Sequence, residues 1–164
     1  MEQRREPFPM ENREGGFDPV GLAVSHRVFG EGRVAACEGG TLTVAFGEKQ
    51  YIFAYPWCFE GWSMSFADRE KQTWIRALVE SEEARAYREA RRGRNHFESD
   101  PIEDTAPYRR VAQRAEAEAQ VRAGRGGYMG YCHRLWGEKR RVLLEKYGIV
   151  WRSPAAMNPN VLFD

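Results

Sequence analysis

Val24-Ser-His-Arg-Val-Phe-Gly-Glu-Gly-Arg-Val34 is followed by Leu42-Thr-Val-Ala-Phe46 and then by Tyr51-Ile-Phe-Ala-Tyr55. The run reads as three short strands joined by glycine turns. Gly39-Gly40 and Gly47 stand where a tight turn needs a positive backbone angle. Val, Phe, Thr and Tyr fill the stretches between, with partial alternation along 42–46. Strands this short and this close must curl to bury a face, and the natural outcome is a small, strongly bent β-barrel. Barrels of this size are usually binding modules, which tilts the reading away from catalysis.

The residues carry a resemblance as well. Val-x-His-x-x-Phe-Gly-x-Gly-x-Val over 24–34, a glycine turn, and Leu-x-Val-x-Phe over 42–46 together resemble the SH3-like (Tudor-like) barrel at the C-terminus of UvrD/PcrA-type DNA helicases. The likeness spans residues 21–60. It implies an accessory interaction module of the kind attached to helicase machinery and implicated in contacts with RNA polymerase. The chain has no Gly-x-x-x-x-Gly-Lys-Ser/Thr phosphate loop, and so no helicase motor. The resemblance therefore extends to the docking module alone.

Composition bounds the rest. A chain of 164 residues suits one domain, or one small module with a helical extension. With 42% hydrophobic and 13% aromatic residues it can build a sizeable core. Its 25 basic and 24 acidic side chains leave a net charge of +1, which argues against a whole-molecule nucleic-acid magnet and against an acidic DNA mimic. Cys37, Cys58 and Cys132 are too scattered for a disulfide framework, and reduced thiols of a cytoplasmic protein are the simpler reading. The first residues are charged, and no apolar run approaches a membrane span.

Along the chain, residues 1–20 are polar and punctuated by Pro7, Pro9 and Pro19, so an extended arm is expected, with Phe8, Met10 and Phe17 able to pin it to another surface. Residues 21–62 are the barrel candidate, its last strand ending near Tyr55 before Pro56. Residues 63–164 read as about three helices and an apolar C-terminal tail, giving an α+β fold. The first helix is expected from Asp68 to about Arg92, with Trp74, Ile75, Leu78 and Val79 on one stripe and ion-paired Glu and Arg opposite. Residues 93–104 form a loop, with Asp104 as the cap of a second, alanine-rich helix over 106–122. A third spans 128–147 and stops at Gly148. Trp151, Met157, Val161, Leu162 and Phe163 make the tail too apolar to leave in water, so it folds back or grips a partner. Tyr147-Gly-Ile, Trp151-x-Ser-Pro and Met157-Asn-Pro are similar to the tails of small uncharacterised bacterial proteins, a likeness that implies no function.

Two sets of side chains point to contacts. Tyr51, Phe53, Tyr55, Trp57, Phe59 and Trp62 form an aromatic cluster that could stack on bases or hold a peptide. The competing reading is core packing, because half of an alternating set points inward. Tyr51, Phe53, Tyr55, Trp57 and Trp62 are the candidate partner-binding residues, with Tyr55 and Trp57 the preferred exposed pair. Arg134, Lys139, Arg140, Arg141 and Lys146 crowd the third helix and could meet phosphates, unless interleaved glutamates make them an ordinary solvated face. Gly124-Arg-Gly-Gly127 resembles one fragment of an RGG element, but a flexible connector is the simpler reading.

Chemistry is weakly signalled. Cys132 and His133 are adjacent and point apart on a helix, so they make no metal site. Asp100, Glu103 and Asp104 near His96 could hold a divalent ion, although exposed acidic loops are far commoner. No catalytic residue, metal or cofactor is therefore assigned. The expected function is non-catalytic: a binding or regulatory protein docking on a protein component of nucleic-acid machinery, with nucleic acid a second partner and no membrane contact. An inhibitor of a nucleic-acid enzyme, of mobile-element or anti-defence type, fits that class. A direct DNA- or RNA-binding protein and a small enzyme with an unrecognised acid–base or metal site are the alternatives. The chain carries no signal for an oligomeric state.

Overall fold

The computed structural model describes residues 4–164, so the first three residues of the expected arm lie outside the described residues. Five strands form one antiparallel sheet: β1 (Ala23–His26), β2 (Gly30–Glu38), β3 (Thr41–Phe46), β4 (Lys49–Ala54) and β5 (Met64–Phe66), in the order β4-β3-β2-β1-β5. The long strand β2 serves two partners. Its first residues pair with β1, its later ones with β3, and a bulge lies between Val34 and Ala36. A bulge bends the strand that carries it, and this one sits where the two pairings meet. The sheet is open, with β4 and β5 at its edges. A 3₁₀ turn, Trp57–Phe59, connects these two. β5 lies beyond residue 62, so the strand-forming segment is longer than the 21–62 expected from the sequence.

Helices follow: α1 (Arg69–Val79), α2 (Glu82–Ala90), α3 (Ala106–Ala123), α4 (Tyr131–Tyr147) and the short α5 (Pro154–Met157). The single helix expected over 68–92 is two. Ser81 breaks it: its hydroxyl accepts from the Ala84 amide at 3.2 Å, and Glu82 and Glu83 occupy the new first turn. Asp68 does cap α1, accepting from the Lys71 amide at 3.1 Å. Asp104 does not cap α3. It is drawn inward by Arg91, whose Nε lies 2.6 Å from its carboxylate with both side chains buried. α3 packs on α4 through Ala115, Ala119 and Ala123, all buried.

One contiguous core joins Val24, Leu42, Val44, Phe53 and Phe59 of the sheet side to Ile75 of α1, Val142 and Leu143 of α4, and Ile149 and Trp151 of the tail. The tail folds back at Gly148, which has φ +64° and ends α4 in the left-handed conformation. A Cβ there would sit 2.8 Å from the Gln50 carbonyl oxygen, so the close approach to β4 also requires glycine. Ile52 of β4 then donates to Gly148 O at 2.6 Å and accepts from Val150 N at 2.9 Å. Further on, Phe163 meets Trp136 and Phe97 edge-on, whereas Leu162 stays exposed.

The N-terminal arm has no regular structure but is part of the core. Phe8 is buried, with edge-on contacts to Trp57 and Tyr87 at 5.3 Å each. Phe17 sits edge-on against Phe66 and Trp74. Arg13 lies over the Phe8 ring and pairs with Glu83 at 2.7 Å, fastening the arm to α2. No helix among the described residues is long and apolar enough to cross a membrane.

Phe8→Ala should lower the unfolding free energy by about 3 kcal/mol, the usual cost of emptying an aromatic core position. Urea denaturation measures it, and a loss below about 1 kcal/mol would mean that the arm rests on the core without belonging to it.

Candidate functional site

The turn between β1 and β2 is built around His26. Its Nδ1 accepts from the amides of Val28 (3.1 Å) and Phe29 (3.3 Å), which folds Phe29 back over the imidazole. The two rings stack with centroids 4.7 Å apart, and Tyr51 packs on Phe29, tilted, at 4.4 Å. Phe46 and Phe53 close in at an angle, 5.4 Å from Phe29 and from His26 respectively. A ring column thus stands on one side of the sheet. Facing it are Gly137, Arg140, Arg141 and Leu144, which recur at helical spacing along one face of α4. The tail, Ile149–Arg152, forms the third wall. Between the three lies a cleft of about 550 Å3, within the range of ligand sites.

Ionic groups form part of its lining. Asp100, 2% exposed, accepts from Ile102 N at 3.1 Å and Arg152 N at 2.7 Å. The same carboxylate lies 3.3 Å from the Arg152 guanidinium, and Glu60 lies 3.4 Å from it. Arg88 holds the other oxygen of Glu60. Cys58 also lines the cleft, and burial pushes its thiol pKa well up, so it is a protonated, unreactive group there. Burial likewise holds the His26 pKa below the ordinary histidine range. Its Nδ1 can accept two amide hydrogens only while unprotonated, so geometry and burial favour the same neutral form.

The sequence-derived aromatic candidates separate. Trp62 is 84% exposed, with the Arg76 guanidinium 4.8 Å from its ring. Tyr51 is half-buried in the column. Phe53, Tyr55 and Trp57 are buried, and Phe59 is fully enclosed. The preferred exposed pair, Tyr55 and Trp57, is therefore corrected: Phe8 and Tyr87 cover Trp57, and Tyr55 turns in edge-on to Phe59. Phe53 and Trp57 still form the inner wall of the cleft.

The basic candidates separate too. Lys139 is spread over Trp151 (4.7 Å) and Tyr108 (5.6 Å) and paired with Glu116, while Lys146 is paired with Glu118 at 2.6 Å. Both reach towards glutamates of α3, Lys139 from a half-buried position and Lys146 from an exposed one. Arg140 and Arg141 face the cleft. Arg141 pairs with Glu138 at 3.0 Å, and Arg140 has no carboxylate partner among the described residues. Arg134, exposed and likewise without a carboxylate partner among the described residues, lies outside the cleft lining.

The chain matches no protein-family model, no curated protein and no solved structure.

The acidic set is pulled apart by its partners. Asp100 serves Arg152, Asp104 serves Arg91, and Glu103 accepts from the Trp151 indole at 2.8 Å, with burial raising its pKa. His96 is exposed, and His133 lies 3.0 Å from the Phe163 carbonyl. No group of three or more His, Cys, Asp and Glu side chains among the described residues could hold a metal ion. His26, Phe29, Glu60, Asp100 and Arg152 went unassigned as cleft residues in the sequence. The His26-x-x-Phe29-Gly30 spacing was the local signal for the column, whereas Asp100 and Arg152 are brought together only by the fold.

Asp100→Ala should cost about 3 kcal/mol, because it strands two amides and loosens a guanidinium. A loss below about 1 kcal/mol in urea unfolding would refute that role. A histidine whose folded pKa is depressed stabilises fully above its unfolded pKa of about 6.5. That contribution falls away as pH drops towards the folded value, because the unfolded chain binds the proton first. His26→Asn keeps an acceptor for the two amides and removes the titration. It should flatten the fall in urea midpoint between about pH 7 and pH 5; an unchanged slope would contradict the assignment.

Proposed function

We propose that the chain is a non-catalytic docking protein acting on a protein component of nucleic-acid machinery. The observation that carries this reading is the cleft between the bent sheet and α4, where an apolar aromatic wall faces two exposed arginines. Apolar surface with a charged margin is the composition of a contact site. The groups that could do chemistry are engaged elsewhere: the acidic residues in separate ion pairs and hydrogen bonds, the cleft thiol in its protonated form. The strand order, the doubly paired β2 and the 3₁₀ turn before β5 support reading the curl of the sheet as SH3-like (Tudor-like). With the resemblance of 24–46 to the helicase-borne module, this favours a docking role beside a nucleic-acid enzyme. An inhibitor of such an enzyme is the narrower form of the same reading. Trp62, exposed beside the cleft residue Ser63 and backed by the half-buried Arg76, extends the contact surface.

Affinity-tagged chain, purified from its native cells after nuclease treatment, should retain a nucleic-acid enzyme or one of its subunits, identified by mass spectrometry. Trp62→Ala, or Arg140→Glu combined with Arg141→Glu, should deplete that partner on the order of tenfold. Recovery that needs intact nucleic acid, or that ignores every one of these changes, would overturn the reading.

A further inference from the structure

We propose that the cleft takes an acidic peptide segment of the partner, seated by an apolar side chain against Phe53 and Leu144 and held at the mouth by Arg140 and Arg141. This inference rests on the docking reading above and adds the chemistry of what is docked.

Three observations carry it. The first is the state of the rings. A nucleobase binds a small β-module by stacking on an open aromatic face. Here Phe29 is already packed against two rings, stacked on His26 and tilted against Tyr51. The column is already stacked on itself. The remaining wall is aliphatic or buried: Leu144, Ile149 and Val150, with Phe53 behind. Such a wall accepts a bulky aliphatic or aromatic side chain edge-on and gives a flat base nothing to stack on.

The second is charge. Three arginines line the cleft against two carboxylates, Glu60 and Asp100. Those carboxylates are used up: Asp100 on Arg152 and two amides, Glu60 on Arg152 and Arg88. Arg140 is exposed, with no carboxylate partner among the described residues. The excess positive charge lies at the mouth on α4, which complements an acidic occupant and opposes a basic one.

The third is the looseness of Arg152. A strong guanidinium–carboxylate bond measures about 2.7–2.9 Å, whereas the guanidinium contacts of Arg152 run from 3.3 to 3.5 Å. Its backbone amide is the part that Asp100 grips closely, at 2.7 Å. The side chain keeps donors to spare inside the cleft, where a carboxylate of the occupant would find them.

The test selects a randomised short-peptide phage library against the full-length protein, then measures the best synthetic peptide by fluorescence anisotropy, with oligothymidylate as competitor. The expected result is enrichment of Asp and Glu next to a large apolar residue. Binding should fall on the order of tenfold in Arg140→Glu and change by less than about twofold in Arg134→Glu. The two variants carry the same change in net charge on the same helix, so only position separates them. Both side chains are exposed and without carboxylate partners among the described residues, so both variants should fold, and a thermal melt of each checks that they do. Peptides without acidic enrichment, equal losses in the two variants, or displacement by oligothymidylate would overturn the proposal, the last in favour of nucleic acid. If no peptide is enriched while the nuclease-resistant partner still co-purifies, the acidic-peptide assignment fails and the docking role stands on another surface.

Discussion

Two backbone hydrogen bonds, one donated by Ile52 to Gly148 and one accepted by Ile52 from Val150, hold this molecule's two halves in register. They lie where α4 ends and the tail begins, and they lay the tail parallel to the edge of β4. Much follows from that attachment. Ile149 and Trp151 enter the core, α4 is brought to the side of the sheet that carries His26 and Phe29, and Arg152 arrives beside Asp100. Gly148 makes the attachment feasible, since both its backbone angle and its distance from Gln50 exclude a side chain. The same contact covers part of an edge that would otherwise offer unpaired amides and carbonyls to another chain. The opposite edge, β5, is only three residues long, so it offers little template for strand addition.

Buried ion pairs do a different job. Arg91 and Asp104, both nearly inaccessible, fix the segment after α2 against the start of α3. Such pairs seldom add net stability over an apolar equivalent, because desolvation offsets their attraction. They do penalise every arrangement that separates the partners. Here that means the path of residues 91–104, which carry little apolar surface to guide them.

The strands of β2, β3 and β4, the end of α4 at Gly148 and the inward-folding tail were legible because each has a local cause: alternation, a glycine at a helix end, an apolar cluster too large to hydrate. What was illegible has non-local causes. β5 was missed because Met64-Ser-Phe66 is too short to show a period. The break at Ser81 was hidden because Glu and Arg continue at helical spacing across it. The exposure of Tyr55 and Trp57 was misread because alternation distinguishes two faces of a strand without telling that an arm closes over the second. Asp100 and Arg152 stand 52 residues apart, and neither position announces the other. Lys139 and Arg140 are neighbours in sequence, yet one is sealed by aromatic rings and the other faces the cleft, a distinction made wholly by what α4 packs against.

The cleft's walls come from the first strand pair, the fourth strand, the middle of α4 and the chain beyond it. No fragment of the polypeptide contains more than part of that surface. Whatever fills it would be gripped only by the assembled molecule and would act as a non-covalent staple between distant stretches of chain, so occupancy and folding are thermodynamically linked. Free of its occupant, the protein would live closer to its unfolding threshold than it does in complex.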